Sequence, residues 1–340
     1  RPDQRVALVT GSNGKTTTTR LIAAMAMAAG RRTGWCCTDG VFIGGAPVEA
    51  GDWSGPAGAQ RVVTADAVEC AVLETARGGI LRRGLGVLGA SVAVVTNIEA
   101  DHFGEYGVAS LADLALVKLV IAKGLRPDGL LVLNADDAAL RSAPLPPDVN
   151  TVWYSPSGAT RRLGDGDVVG WRDADHLWLA GADSVYDLGD LRAMPLTAVG
   201  AAEYNLTNIL AATVAAQHLG VSPTTMAAVL ARFGADPADN AGRLGRFVLN
   251  GATILIDYAH NPTGLTGLLK VARSLRPTRL LLLLGQAGNR DDGALADLAA
   301  AAWSARPDRI VLKELDGYRR GRSTGEVPAL LGDALRLKIA

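Results

Sequence analysis

"VTGSNGKTTTTR", residues 9–20, is the stretch that decides the fold of this 340-residue chain. It begins inside an apolar run, residues 6–10, and continues into a helical pattern over residues 16–29 that stops before Gly30. A strand, a glycine loop and a helix opening with Gly-Lys-Thr predict a phosphate-binding loop, because backbone N–H groups and the positive helix end point at one place. The common pattern G-x-x-x-x-G-K-[ST] needs a glycine where Val9 stands, so this loop has a different, shorter spacing.

The residue types of the loop suit phosphate and magnesium. Gly11 and Gly14 allow the backbone to approach a phosphate closely, Lys15 would neutralise phosphate charge, and the Thr16 hydroxyl can face Mg²⁺. A chance Gly-Lys-Thr at a helix start is the alternative, and the strand before it and the helix after it argue against that. We expect nucleotide contacts from Gly11, Asn13, Gly14, Lys15, Thr16 and Thr17.

The charge balance argues against a nucleic-acid partner. Lys and Arg number 34, as do Asp and Glu, whereas proteins that bind nucleic-acid backbones usually carry a basic excess. Aromatic residues make up only 5% of the chain, which leaves few platforms for base stacking. The hydrophobic content of 49% is sufficient for the cores of two or three domains.

The cysteines and the hydropathy predict a cytoplasmic protein. Cys36, Cys37 and Cys70 have no disulfide-framework or zinc-site spacing, so we interpret them as reduced, buried residues. The sequence shows no signal-peptide pattern and no apolar run near the ~18–20 residues of a membrane span, so we expect no membrane association. The chain begins with Arg1 instead of Met, which leaves open that it is part of a longer protein.

Apolar runs alternate with helical patterns through the first 150 residues, which predicts a parallel sheet covered by helices on both faces. The predicted strands are residues 6–10, 71–73, 92–96 and 130–134, and a helix is predicted at residues 111–123. Residues 151–190 consist of short alternating stretches rich in turns, which predict a small antiparallel sheet. Helices are predicted again at residues 202–219 and 222–233.

A second strand and helix series predicts a second domain. It follows the linker GADPADNAGRLGR, residues 234–246. We expect strands at residues 254–257, 280–284 and 309–312, with helices at residues 263–275 and 294–305. The boundary is predicted near residue 240, between an ATP-binding domain (1–240) and a C-terminal domain (241–340).

The short loop TGSNGKTTT resembles the G-[TS]-N-G-K-T-[TS] loop of the Mur ligase and folylpolyglutamate synthetase superfamily. Stretches along nearly the whole chain resemble further motifs of that superfamily, including VVTNIEADHFGEYG (94–107), EYNLTNILAA (203–212) and IDYAHNPTGL (256–265). TDGVFIGG, GDWSGP, ETARGGILRRGLG and KELDGYRRGRSTGEVP are most similar to the Mur-ligase-type module of cyanophycin synthetase. The counterpart of that enzyme's ATP-grasp module is not among these residues.

The resemblance implies a fold and an activity. The implied fold is α/β, with a P-loop parallel-sheet ATPase domain that carries a small antiparallel insertion, followed by a Rossmann-like C-terminal domain. The implied activity is ATP-dependent amide synthesis with ATP and Mg²⁺ as cofactors. A substrate carboxylate attacks the γ-phosphate of ATP to give an acyl phosphate, and an amine then displaces phosphate. Such chemistry depends on charge neutralisation and alignment, which the residues of this chain can supply.

Three residues are candidates for the catalytic and metal site beside Lys15 and Thr16. Glu74 ends an apolar run, where a parallel sheet presents its carboxyl edge, and could hold Mg²⁺; a surface or helix-start carboxylate is the alternative. His102 corresponds to a superfamily histidine beside a second metal, and Asp101 could orient it or cap a turn. Lys118 corresponds to a lysine that is carbamylated in several members, which would make it a metal ligand; a surface lysine with a buried stem is the alternative.

Further nucleotide contacts are implied by resemblance. Arg243 corresponds to a linker arginine that reaches the γ-phosphate, and it is a catalytic candidate with Lys15, Glu74, His102 and Lys118. Asn205 and Asn208 lie three apart on one helix, and their amides suit adenine edges or a metal-bound substrate; helix capping is the alternative for Asn205. The remaining expected ATP contacts are Asp257, His260 and Asn261.

The expected substrates are a small-molecule or peptide carboxylate and an amino-acid amine. The closer resemblance implies an aspartate-type carboxylate and arginine or lysine. No Mur-type nucleotide-sugar domain is present in these residues, which argues against a peptidoglycan precursor. Acidic partners for a guanidinium could come from Asp291, Asp292, Glu314 and Asp316, although the loop GQAGNRDDG (285–293) departs from the G-D-R-x-D-like form.

Two alternatives to this function stay open at the level of sequence. One is a folylpolyglutamate-synthetase-like ligase that adds an acidic amino acid, although it does not account for ETARGGILRRGLG. The other is a catalytically silent nucleotide-binding subunit, against which the intact Lys15, Thr16, Glu74, His102 and Arg243 argue. A homo-oligomer or a separate companion ligase is an open possibility for the assembly.

Overall fold

The computed structural model describes residues 3–100, 106–159, 162–163 and 166–339. The chain divides into two compact units, Arg1–Asn240 and Ala241–Ala340. His102 and Asp101, two of the candidate residues, lie outside the described ranges.

The first unit contains the following elements. Its strands are β1 (Arg5–Thr10), β2 (Thr33–Cys37), β3 (Gly40–Ile43), β4 (Ala46–Ala50), β5 (Cys70–Glu74), β6 (Ala90–Val95), β7 (Leu125–Asn134), β8 (Asn150–Ser155), β9 (Arg162–Leu163), β10 (Gly166–Asp173), β11 (His176–Ala180) and β12 (Val185–Asp190). Its α-helices are α1 (Lys15–Ala28), α2 (Pro56–Val63), α3 (Arg77–Arg83), α4 (Leu111–Leu119), α5 (Ala138–Ser142), α6 (Glu203–His218) and α7 (Pro223–Leu230). Short 3₁₀ helices occur at Val120–Gly124, Leu191–Ala193 and Pro195–Thr197.

The centre of this unit is a parallel sheet, as the alternation of strands and helices predicted. Its described strands follow the order β12-β11-β10-β8-β7-β6-β1-β5-β2-β3-β4, and β9 pairs with β10. All neighbours from β10 through to β2 pair in parallel. Strands β5 and β6 are buried at every residue, because a strand inside such a sheet is covered on both faces.

Two separate cores cover the faces of the sheet. Helices α1, α6 and α7 pack over one face, where Ile22, Leu210 and Met226 belong to one buried cluster. Helices α2, α3, α4 and α5 pack over the other face, with Leu114 and Leu140 in a second cluster. Alternate residues of β1 enter the two clusters, so this one strand contributes to both cores.

The antiparallel strands extend the central sheet at both edges. The prediction of antiparallel strands within residues 151–190 is confirmed for β10, β11 and β12. They are not a separate sheet, since β8 pairs in parallel with both β7 and β10 and joins them to the centre. At the opposite edge, β2, β3 and β4 form an antiparallel meander that the sequence patterns did not predict.

The helix predicted at residues 111–123 is shorter than expected. Helix α4 begins with a capping box between Ser110 and Asp113 and ends at Leu119, and a 3₁₀ helix then continues to Gly124. Val120 and Ile121 are β-branched, which lowers their preference for the α-helix, and Ile121 is fully buried where the chain turns toward β7.

The second unit contains β13 (Gly245–Leu249), β14 (Ala252–Ile256), β15 (Leu281–Gly285), β16 (Arg309–Lys313), α8 (Pro262–Ser274), α9 (Asp292–Ser304) and α10 (Glu326–Ile339), with a 3₁₀ helix at Asp316–Tyr318. Strands β13 and β14 form an antiparallel hairpin, and β15 pairs with β16 in parallel. Leu265, Leu298 and Leu331, one from each helix, share a core with Leu282 and Leu284 of β15. The strand and helix alternation agrees with the Rossmann-like prediction; α10 was not predicted.

The helices in the described part of the chain are short. The longest, α6, has 16 residues, fewer than the ~20 that the hydrocarbon core of a bilayer requires. Among the described residues, none of the helices combines the length and the hydropathy that a membrane crossing needs.

Candidate nucleotide and metal site

The loop between β1 and α1 presents an open helix N-terminus. Helix α1 begins directly after Gly14, which has φ = 82°, and no side chain caps its first N–H groups. The first four N–H groups of a helix lack partners within the helix, and the helix dipole adds positive potential there. Since the first turn also contains no acidic residue, this end of α1 is suited to an anion such as a phosphate.

The two glycines allow the loop to pack closely against its neighbours. A Cβ atom on Gly11 would lie 1.8 Å from Thr96 Oγ1, and a Cβ atom on Gly14 would lie 1.9 Å from Asn208 Oδ1. The loop therefore passes directly against the end of β6 on one side and against α6 on the other. Only glycine leaves room for both approaches.

Residues that follow β6 fix the conformation of the loop. Asn97 accepts hydrogen bonds from Ser12 N to its carbonyl oxygen (3.0 Å) and from Asn13 N to its Oδ1 (2.8 Å). Glu99 accepts from Asn13 Nδ2 through Oε2 (3.0 Å), and its N–H donates to Ser12 Oγ (2.9 Å). Thr96 Oγ1 donates to the carbonyl oxygen of Asn13 (2.6 Å). Sequence reasoning did not assign these contacts to Thr96, Asn97 and Glu99, although they follow the neighbouring parallel strand just as the loop follows β1.

Lys15 folds back over the loop. Its Nζ donates to the carbonyl oxygens of Gly11 (3.1 Å) and Ser12 (3.0 Å). These contacts hold the ammonium beside the open N-terminus of α1. A positive charge in that position can neutralise a phosphate bound to the loop.

Glu74 is a buried carboxylate at the end of β5. The residue is 1% exposed, so the alternative of a surface carboxylate is wrong. Its Oε2 accepts hydrogen bonds from Thr16 Oγ1 (2.8 Å) and Thr38 N (3.2 Å), and its Oε1 accepts from Thr38 Oγ1 (3.0 Å). Within the described ranges, no arginine or lysine forms an ion pair with it.

This donor set fits Mg²⁺. A buried charge is normally paired with an opposite charge or bound to a metal, and Glu74 has only neutral donors among the described residues. Carboxylate and hydroxyl oxygens beside a phosphate loop are the ligands that Mg²⁺ prefers. No group of three or more His, Cys, Asp or Glu residues that could hold a metal occurs in the described part of the chain, so other ligands would be phosphate oxygens, water or residues outside it.

Lys118 lies on α4 and is 3% exposed. The interpretation as a surface lysine whose stem alone is buried is therefore wrong. Burial of an ammonium group is costly unless it is compensated by a partner.

Asn205 and Asn208 are buried on α6, and Asn208 lies against Gly14 of the loop. Asn205 Nδ2 donates to the carbonyl oxygen of Leu196 (2.8 Å), and Asn208 Nδ2 donates to Asn205 Oδ1 (2.9 Å). Helix α6 is preceded by Ala202 as its N-cap, so the capping alternative for Asn205 is wrong. Thr17, also buried, accepts from Asn240 Nδ2 (3.1 Å).

The candidate residues of the second unit lie near the start of α8. The Arg243 guanidinium lies 4.4 Å from the ring centroid of Tyr258, and Asp257 Oδ2 accepts from Leu244 N (2.7 Å). Burial raises the pKa of Asp257, and the hydrogen bond from Leu244 opposes that shift. His260 Nδ1 lies 3.1 Å from the carbonyl oxygen of Tyr258.

Asn261 is the N-cap of α8. Its Oδ1 accepts from Gly264 N (2.9 Å), and Pro262 occupies the first helical turn. The structure thus gives this predicted nucleotide contact a local role in starting the helix.

Most of the acidic residues considered for an amine substrate have structural partners. Asp291 caps α9 by accepting from Ala294 N (2.7 Å). Asp292 pairs with Arg322 (2.8 Å), and Glu314 accepts a hydrogen bond from Gly325 N. Asp316 is exposed at the start of a 3₁₀ helix.

Comparison with known proteins identifies the family. The family model for the Mur ligase middle domain matches residues 9–216, and the model for the Mur ligase glutamate ligase domain matches residues 242–336. The chain belongs to the Mur ligase family. The predicted membership of this superfamily is confirmed.

Two kinds of relative match almost the whole chain, and the cyanophycin synthetases among them support the resemblance to that enzyme. Cyanophycin synthetase of Trichormus variabilis is 36% identical over 330 residues, which are 95% of this chain and 36% of that relative. The UDP-N-acetylmuramoyl-L-alanyl-D-glutamate--2,6-diaminopimelate ligase of Xanthomonas campestris is 32% identical over 345 residues, or 98% of this chain and 65% of that relative. The chain spans little more than a third of the length of the cyanophycin synthetases that it matches.

A solved structure confirms the predicted fold class. The structure described as E. coli FolC in complex with DHPP and ADP has a TM-score of 0.68 and 18% identity. It covers 100% of this chain and 83% of the FolC chain.

Two alanine variants distinguish the effect of the close approach at Gly14 from the effect of backbone strain alone. Gly14 and Gly30 have similar positive φ values of 82° and 78°, but a Cβ on Gly30 would meet no atom within 4 Å. Alanine at either position costs about 1–2 kcal/mol because of the left-handed conformation. Only Gly14→Ala also collides with Asn208. We expect Gly14→Ala to weaken Mg²⁺·ADP binding by at least about tenfold, and Gly30→Ala by less than about twofold, measured by titration calorimetry. Equal ADP affinities in both folded variants would contradict this role of the Gly14 approach.

Proposed function

We propose that this chain is an ATP-dependent carboxylate–amine ligase, and that it joins a basic amino acid to an aspartate-type carboxylate. The observation that carries the proposal is the arrangement of Lys15, Thr16 and Glu74. The phosphate loop and the buried Glu74 carboxylate lie at one edge of the sheet, and no described arginine or lysine forms an ion pair with that carboxylate. Membership of the Mur ligase family, whose relatives are named as ligases and synthetases, supports the reaction class.

The residues of the first unit have separate proposed roles toward ATP. The α1 N–H groups and Lys15 bind the phosphates, while Asn97 and Glu99 keep the loop in the binding conformation. Thr16 and Glu74 hold Mg²⁺, which would neutralise negative charge on the phosphates and orient the γ-phosphate. His102, proposed by resemblance as a further metal neighbour, lies outside the described residues.

The proposed chemistry has two balanced steps. An oxygen of the substrate carboxylate attacks the γ-phosphorus, the bond to the β-phosphate oxygen breaks, and ADP leaves while an acyl phosphate forms. The amine nitrogen then attacks the acyl carbon, phosphate leaves, and the nitrogen loses a proton to form the amide. Exclusion of water protects the acyl phosphate from hydrolysis between these steps.

The second unit is proposed to contribute further contacts to nucleotide and amine. By resemblance, Arg243 is assigned to the γ-phosphate and His260 and Asp257 to the nucleotide. Of the four acidic candidates for a guanidinium or ammonium group, Asp316 is preferred, because Asp291 caps a helix, Asp292 pairs with Arg322 and Glu314 accepts from Gly325. The division between an ATP-binding domain of residues 1–240 and a C-terminal domain of residues 241–340 is part of this proposal.

The proposed place of action is the cytoplasm. The reaction consumes ATP, and all three cysteines are free and buried, as is usual for proteins of a reducing compartment.

A substrate screen tests the reaction and its specificity. We expect ADP release to require both a free carboxylate acceptor, such as an aspartate-containing dipeptide, and arginine or lysine. Each substrate alone should give only background hydrolysis, because the acyl phosphate forms on the acceptor and is consumed by the amine. If glutamate or another acidic amino acid supports turnover while arginine and lysine are inert, a polyglutamylating ligase replaces the present proposal. Absence of ADP release with every pair would favour a silent nucleotide-binding subunit.

Replacement of the loop lysine tests the nucleotide site directly. Lys15→Ala should abolish turnover and weaken ATP binding by roughly 10- to 100-fold, since a charge-assisted contact with phosphate contributes about 1.5–3 kcal/mol. The fold should remain intact, because Lys15 contacts loop carbonyls and not the core. Calorimetry with ATP and a urea unfolding curve measure the two effects. Unchanged ATP affinity in a folded Lys15→Ala protein would refute the assignment.

Replacement of the buried lysine tests the proposed carbamate. If Lys118 is carbamylated and binds metal, Lys118→Ala should lose activity and regain part of it when a short carboxylic acid fills the vacated position. Lys123→Ala is the control, because Lys123 lies in the adjoining 3₁₀ helix and is exposed. A fully active Lys118→Ala enzyme would exclude the carbamate role. Loss of activity without any chemical rescue would assign Lys118 to packing or to charge.

A further inference from the structure

We propose that Thr38, in the turn between β2 and β3, is a positioning residue that orients the Glu74 carboxylate and thereby sets the Mg²⁺ affinity of the nucleotide site. The inference rests on the proposed function, because it assumes that Glu74 holds the metal. Thr38 belongs neither to the phosphate loop nor to β5, so a third segment of the chain would influence the Mg²⁺ affinity.

Thr38 contacts both oxygens of the carboxylate. Its N–H donates to Glu74 Oε2 (3.2 Å) and its Oγ1 donates to Oε1 (3.0 Å). The last torsion of a glutamate side chain is broad and only weakly restricted by its own geometry. Two donors from one residue, each on a different oxygen, restrict the rotation of the carboxylate plane, which the single bond from Thr16 to Oε2 does not achieve.

The turn that carries Thr38 is itself fixed to α1. Cys37 pairs with Gly40, so the turn consists of only two residues, Thr38 and Asp39. Asp39 forms an ion pair of 2.9 Å with Arg20, whose side chain is 8% exposed. Arg20 follows Thr16 by four residues and therefore lies on the same side of α1. The turn is thus attached to the helix that begins at the phosphate loop.

The lone pairs of the carboxylate indicate which oxygen faces the metal. An ionised carboxylate offers about four acceptor positions. Oε2 accepts two described hydrogen bonds and Oε1 accepts one, so Oε1 retains the open position. Mg²⁺ requires near-octahedral ligands at about 2.0–2.1 Å, which makes its binding sensitive to small rotations of a ligand.

The experiment measures Mg²⁺ dependence of ADP binding by calorimetry in five folded proteins: wild type, Thr38→Val, Thr38→Ala, Thr38→Ser and Thr33→Val. Loss of a residue that orients a metal ligand typically costs 10–100-fold in metal affinity. We expect Thr38→Val and Thr38→Ala to raise the half-saturating Mg²⁺ concentration at least about tenfold, with ADP binding in the absence of Mg²⁺ unchanged. Thr38→Ser, which keeps the hydroxyl, should stay within about twofold of wild type.

Thr33→Val is the matched control for stability. Thr33 is buried at the other end of β2, and its hydroxyl donates to the carbonyl oxygen of Arg31 (3.1 Å). This variant also loses a hydroxyl hydrogen bond, in the strand that leads to Thr38, so it should lower stability without changing the Mg²⁺ dependence. A Thr33→Val shift as large as that of Thr38→Val would overturn the proposal, because the effect would then reflect general loosening of β2.

A double-mutant cycle with Glu74→Gln identifies the route of the effect. If Thr38 acts through the carboxylate, adding Thr38→Val to Glu74→Gln should change the Mg²⁺ half-saturation by less than about twofold. Equal effects of Thr38→Val in both backgrounds, or wild-type Mg²⁺ dependence in a folded Thr38→Val or Thr38→Ala protein, would overturn the positioning role. A wild-type protein without any Mg²⁺-dependent nucleotide binding would instead overturn the proposed function on which this inference rests.

Discussion

The pairing of β1 with β5 on one side and β6 on the other is the constraint on which the rest of the structure depends. Because all three strands are parallel, the segments that follow them leave the sheet at the same edge. Val9 lies opposite both Glu74 and Val94, so the phosphate loop, the Glu74 carboxylate and residues 96–99 emerge together. Apolar strand interiors thereby determine where the polar groups meet.

The cost of burying Glu74 is met by donors from two different elements. The P-loop helix supplies the Thr16 hydroxyl, and the β2–β3 turn supplies the amide and the hydroxyl of Thr38. A buried carboxylate that keeps its charge needs such donors or a cation. The same contacts that make the charge tolerable also fix its direction, so stability and ligand geometry depend on the same few hydrogen bonds.

Local patterns in the sequence predicted the parts of the fold that depend on local physics. The apolar runs of β1 and β6 and the Gly-Lys-Thr start of α1 are recognisable without any tertiary contact. Asn97, Glu99 and Thr38 were not assigned to the site, because their roles arise only when segments 36–87 residues apart come together. The β2–β4 meander was missed as well, since its β4 strand is largely exposed and lacks a clear apolar alternation.

Several candidate residues also form local contacts that the sequence interpretation did not include. Asn205 stays a predicted nucleotide contact, and the structure adds that its amide donates to Leu196 and accepts from Asn208. Asp291 and Asn261 stay predicted substrate and nucleotide contacts, and each also accepts from the N–H group three residues later. An Asn or Asp just before a helical pattern is a typical N-cap, and this signal was available from the sequence alone.

The hydrogen bonds that join Ser12 and Asn13 to Asn97 and Glu99 have a consequence for folding kinetics. They join residues that are 84–87 positions apart, so the loop acquires its shape only after a long chain segment has closed and β6 has docked beside β1. An unfolded or half-folded chain has no preformed cradle for an anion. A ligand of this loop therefore acts as a selective stabiliser of the fully paired sheet, and the apparent melting temperature should rise with the logarithm of ligand concentration.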